Sequence, residues 1–132
     1  MHSDVFLPRI KVVALFSFLF VAGLVCTARA AQTDIPVVPV KGKVTMLDLG
    51  ATACIPCKMM APIMRELKKE YADRAAIIFI DVWKNPDVPE KFNIDTIPTQ
   101  IFYDANGQEQ YRHVGFFDKA SIVAKLVELG VN

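Results

Sequence analysis

Cys54 and Cys57 stand three residues apart where an apolar run gives way to a helical pattern, and that junction constrains the chain more than any other feature. Residues 44–49 are nearly all apolar, which fits a strand buried on both faces. Residues 50–53 read as a loop. Across residues 56–71, Met60, Ile63, Met64 and Leu67 recur at helical spacing and Tyr71 continues the stripe, while Arg65, Glu66, Lys68, Lys69 and Glu70 cover the other side. The Met stripe reads as core packing rather than as a metal-binding face. Pro62 falls inside this helix and is expected to kink it, because it removes a backbone donor.

Residues 76–82 form a second run, apolar but for Asp81, again a buried strand, and 85–92 suggest a loop and a short helix. Residues 99–103 and 109–114 flank Asp104-Ala105-Asn106-Gly107, a hairpin signal that ends in Asn-Gly. Asp118 is placed to cap a last helix whose Ile122, Val123, Leu126 and Leu129 form one apolar side. The order is β-α-β-α-β-β-α. Two buried strands joined by a helix should run parallel through a right-handed connection, and the hairpin adds antiparallel strands. Ahead of them, residues 31–43 form a short lead in which 35–40 could pair as an edge strand, limited by Pro36 and Pro39.

The N-terminus reads as an export signal. Arg9 and Lys11 precede a largely apolar stretch over residues 12–25, and Ala28-Arg29-Ala30 supplies small residues at a cleavage position. A spanning helix usually needs about 18 or more apolar residues, so an uncleaved membrane anchor is the lesser reading. Cys26 lacks the lipobox pattern, with Gly23 and Val25 in the flanking places, and is expected to leave with the signal. The division is therefore 1–30 signal peptide, 31–43 lead and 44–132 a single domain. Taking Arg9, Lys11, Arg29 and Asp4 from the totals of 15 basic and 14 acidic residues leaves a net charge of about −1. No basic field is present to hold nucleic acid. Export also means a compartment in which disulfides form and persist.

A Cys-x-x-Cys between strand and helix has a chemical rationale. It sets Cys54 at a helix N-terminus, where free N–H groups and the macrodipole favour an anion. The thiolate is the attacking species in disulfide exchange, and such positions favour it. Two intervening residues let Cys57 reach back one turn and resolve a mixed disulfide on Cys54. Pro56 suits the first turn and stiffens it. A static disulfide closing so short a loop would constrain the unfolded chain little. Zinc needs four ligands, and beyond the two thiols the segment after residue 30 offers one histidine, His113, which reads as an ordinary strand residue. No metal or other cofactor is expected. Asp48 stands alone in its apolar strand, where burial should raise its pKa.

The segment from Asp48 through Cys54-Ile55-Pro56-Cys57-Lys58 to Pro62 resembles the active-site segment of the thioredoxin family. Asn85-Pro86, Phe92-Asn93-Ile94 and Ile97-Pro98-Thr99 resemble that family's route to its cis-proline, and Asn106-Gly107 with Val114-Gly115 its hairpin. The similarity covers residues 40–130. It implies an α/β thioredoxin fold: a central mixed sheet flanked by helices, with a shortened N-terminal β/α region. It implies Cys54 as nucleophile, Cys57 as resolving thiol, a Cys54–Cys57 redox disulfide and Asp48 as proton-transfer group. It also implies Pro98 as the cis-proline, with Ile97 offering backbone to a substrate strand and Ile55 and Pro56 beside it.

The chain departs from the family pattern at several places. Ala53 replaces the Trp that often precedes the first cysteine, and Gly50 replaces an aromatic residue. Phe79 stands where a buried lysine often faces the aspartate, and Ile55-Pro56 replaces Gly-Pro. Trp83 and Lys84 follow the second strand near the family's active-site end, where Trp83 is either a border of the partner surface or a partly packed loop residue.

The expected function is a monomeric periplasmic thioredoxin-like reductase or isomerase acting on disulfides of exported proteins, apocytochromes among the candidates. By resemblance, a membrane electron carrier of the DsbD/CcdA type would supply electrons. The alternatives are a disulfide-donating oxidase and a non-catalytic metal- or partner-binding module.

Overall fold

β1, Val44–Gly50, is buried at each of its seven positions, because it lies inside a sheet covered on both faces. The computed structural model describes residues 35–132, and the proposed signal lies outside them. After β1 come α1 (Ile55–Glu70), β2 (Ala75–Asp81), α2 (Val88–Lys91), β3 (Thr99–Tyr103), β4 (Glu109–Val114) and α3 (Lys119–Glu128), the expected order. The strands form one mixed sheet in the order β2-β1-β3-β4. β1 and β2 pair in parallel, while β3 pairs antiparallel with both β1 and β4.

Period-two alternation divides the core. Val44, Met46, Ile77 and Phe102 meet Met60, Met64 and Leu67 of α1 and Ile122 and Leu126 of α3 on one face. Leu47, Leu49, Ile80 and Ile101 meet Val88, Phe92 and Ile94 on the other. The Met stripe is thus core, as its spacing indicated. Asp118 caps α3 by accepting from the Ser121 N–H at 3.1 Å.

The lead ahead of β1 departs from the sequence reading. Residues 35–40 form no strand: Pro36 and Pro39 lack donors, Val38–Pro39 is cis, and the Val40 N–H donates to Thr45 Oγ1 at 3.1 Å. α1 runs from Ile55 to Glu70 with Pro62 inside it, and the proline has no N–H to donate to the Lys58 carbonyl. The hairpin turns over residues 104–108, where the signal ending in Asn106-Gly107 placed it. The Gly107 N–H donates to the Asp104 carbonyl, and Gly107 alone takes a left-handed φ of 84°. Asp104 Oδ1 accepts from the N–H groups of Asn106 and Gln108, both at 2.9 Å.

Candidate active site

Cys54 is the N-cap of α1 and is bonded to Cys57, with the α-carbons 5.2 Å apart. Its sulfur accepts from the Cys57 N–H at 3.4 Å, so it sits where the helix presents free donors. Cys57 is buried and Cys54 half-buried. An incoming sulfur therefore meets Cys54 first, and Ile55 beside it is 75% exposed. Pro56 occupies the first turn.

The turn that carries Cys54 is tied to the end of β2. Gly50 O accepts from the Val82 N–H at 2.8 Å, and the Cys54 N–H donates to Ala51 O at 3.2 Å. Asp81 Oδ2 accepts from the Thr52 N–H at 3.1 Å, and Oδ1 accepts from the Trp83 N–H at 3.0 Å and the Lys84 N–H at 3.3 Å. Burial alone would push the Asp81 carboxyl up; these donors outweigh it and hold it below the ordinary carboxylate range. The sequence signal for Asp81 was an acid closing an apolar strand, which gives no hint of its partner Thr52.

Asp48 lies mid-strand in β1, 1% exposed. Burial pushes its carboxyl up to about 6, against the opposing pull of a hydrogen bond from Gln100. Gln100 Nε2 donates to Asp48 Oδ1 at 2.9 Å, so the carboxylate is not alone as its apolar surroundings suggested. Asp48 and Cys57 line one cavity of about 430 Å³ between α1 and the sheet, with Lys58, Lys68 and Phe79 also on its walls. Phe79 is the register partner of Asp48 on β2.

The Ile97–Pro98 bond is cis, and Pro98 O accepts from the Gly115 N–H at 2.7 Å. Thr99, the next residue, pairs with Leu49 near the end of β1. That register sets Ile97 and Pro98 at the sheet end from which the chain leaves for Cys54. Trp83, 63% exposed, lines a groove with Ile97, Pro86 and Ile94. His113 stands on β4, its ring stacked on Phe117 at 4.2 Å and its Nε2 3.2 Å from Phe116 O.

The thioredoxin family model matches residues 30–128. Thioredoxin of Staphylococcus aureus strain Mu50 is 38% identical over 87 residues, which are 66% of this chain and 83% of that protein. Among solved structures, chloroplastic thioredoxin z superposes with a TM-score of 0.60 at 27% identity, over 69% of this chain and 81% of its own. The exposed lipoprotein thioredoxin of Streptococcus pneumoniae strain TIGR4 superposes at 0.59 and 24% identity, over 67% of this chain and 86% of its own, a likeness of fold. Among the described residues no helix is long and apolar enough to cross a membrane.

Proposed function

Because this chain belongs to the thioredoxin family, and so is a thiol:disulfide oxidoreductase, we propose that it reduces or isomerises disulfides of exported proteins. The observation that carries this reading is the asymmetry of the pair. Cys54 is only half-buried at the helix N-cap, and Cys57 is buried on the cavity that Asp48 also lines.

The exchange runs in two displacements. The Cys54 thiolate attacks one sulfur of the substrate disulfide; that S–S bond breaks and one substrate thiolate leaves. Cys57 then gives its proton toward Asp48 through the shared cavity and attacks Cys54 Sγ. The mixed disulfide breaks, the second substrate thiolate leaves, and Cys54–Cys57 remains. Two electrons have passed to the substrate. Ile97 would offer its backbone to an extended substrate segment across from Cys54, with Pro98 holding that edge and Ile55 and Pro56 flanking it.

Export is supported by the apolar stretch at 12–25 and Ala28-Arg29-Ala30. In an oxidising compartment the dithiol needs a reductant, and a membrane carrier of the DsbD/CcdA type fits that need. Insulin-disulfide reduction by wild type and Cys54→Ser tests the assignment: loss of turnover in the variant is expected, and equal turnover would overturn it. The potential of the Cys54–Cys57 couple tests direction. A value near about −120 mV, the strongly oxidising end of the range, would instead make the protein an oxidase.

A further inference from the structure

We infer that Gln100 is a positioning residue for the proton step, its side-chain amide orienting the Asp48 carboxylate and favouring its ionised form. The inference rests on the reading of Asp48 as acceptor of the Cys57 proton. Gln100 is fully buried on β3, directly across from Asp48 in the β1–β3 register. Its Nε2 donates to Asp48 Oδ1 at 2.9 Å, while its Oε1 has no partner among the described residues. An orphaned buried acceptor costs about 1–3 kcal/mol, a cost that an apolar residue of similar size would avoid. The bond to Asp48 is the compensation in view.

The residue type suits both protonation states. A carboxylate takes the amide N–H, whereas a protonated acid can donate its O–H to the amide oxygen after the amide turns over. The charge-assisted bond to the carboxylate is the stronger, so the net effect favours ionisation. This matches the opposition between burial and Gln100 at Asp48. Gln100 itself neither gains nor loses a proton. The other groups facing Asp48 come from α1, where Cys57, Lys58, Arg65 and Lys68 line the cavity, and from β2, where Phe79 carries no charge. Beyond Gln100 lies its β4 partner His113, whose Nε2 is taken up by the Phe116 carbonyl.

The test follows the Asp48 carboxyl-carbon NMR shift against pH in reduced protein, alongside the pH profile of insulin reduction. Gln100→Leu should raise the Asp48 midpoint by about one pH unit. Below the midpoint, where turnover follows the ionised fraction, the rate should fall about tenfold. In an Asp48→Asn background, Gln100→Leu should leave the pH profile unmoved. An unchanged Asp48 midpoint, or the same profile shift without Asp48, would overturn the inference. Wild type supplies a check that needs no variant: the Gln100 side-chain amide resonances should titrate with the Asp48 midpoint, and flat resonances would also overturn it. Inactive wild type with a responsive Asp48 would break the oxidoreductase reading alone.

Discussion

The Phe79 side chain closes on Gly50, so that a β-carbon at position 50 would sit 3.1 Å from Phe79 Cε2 and 3.2 Å from Cys57 Sγ. An aromatic side chain from β2 and the resolving cysteine thus share the space that a side chain on β1 would need. This joins two places where the chain leaves the common family pattern. Gly50 is small where Phe79 is large, and each makes room for the other.

Gly50→Ala should therefore destabilise the disulfide form by about 1 kcal/mol through overpacking. The exposed Phe79 ring can move aside, but Cys57 Sγ is fixed while bonded to Cys54. The oxidised state suffers more than the reduced, so the potential should become less negative by about 20 mV. Phe79→Ala combined with Gly50→Ala should recover part of the stability loss. Denaturant unfolding and glutathione redox titration of the four-member cycle measure both effects.

Asp48 imposes a pH dependence on stability. Its carboxyl is raised from 3.8 to about 6 in the folded protein, so the folded state binds more protons than the unfolded between those values. Stability should therefore fall as pH rises through that window and level off above it, by about 3 kcal/mol in all. Asp48→Asn keeps an acceptor for Gln100 and removes the charge. It should flatten this part of the profile and be more stable than wild type at pH 7, as urea midpoints from pH 4 to 8 would register.

Local patterns carried most of the fold. β3 and β4 have the bounds that the intervening hairpin signal indicated. α1 begins at Ile55 rather than 56 because Cys54 itself caps it, which the apolar stripe does not report. The lead at 35–40 could not be read from its apolar residues, because Ile35 and Val38 pack against the α2-side core without strand pairing. In the site, the strand–helix junction at Cys54 and Cys57 could be read from spacing, and the burial of Asp48 from its apolar strand. The Asp48–Gln100 bond could not, since it spans 52 residues and depends on the β1–β3 register. Asp81 and Thr52 are likewise 29 residues apart.

Asp81→Ala should loosen the turn that carries Cys54. The carboxylate accepts three backbone N–H groups on two loops, and its removal leaves them without a protein partner. A loss of about 2–3 kcal/mol is expected, since charged acceptors make the stronger bonds. The depressed carboxyl also sets a pH effect of opposite sign to that of Asp48. Its contribution is present above the ordinary carboxylate pKa and is lost as pH falls through the lowered one. Faster amide hydrogen exchange at Thr52 and Trp83 in Asp81→Ala, with the sheet still protected, would locate the effect in these loops.

Reduction should expose a difference between the two thiols. Cys54 is half-buried at the helix N-terminus, and Cys57 is 4% exposed beneath it. Alkylation needs both an anionic sulfur and access, and Cys54 has the helix donors and the opening. Brief iodoacetamide treatment of reduced protein should therefore label Cys54 at least about tenfold faster than Cys57, read by peptide mass spectrometry. In Cys54→Ser, Cys57 should remain slow at neutral pH, because its burial is set by β1, α1 and Phe79 rather than by its partner sulfur. Equal labelling of both cysteines in folded protein would remove the asymmetry on which the order of the two displacements rests.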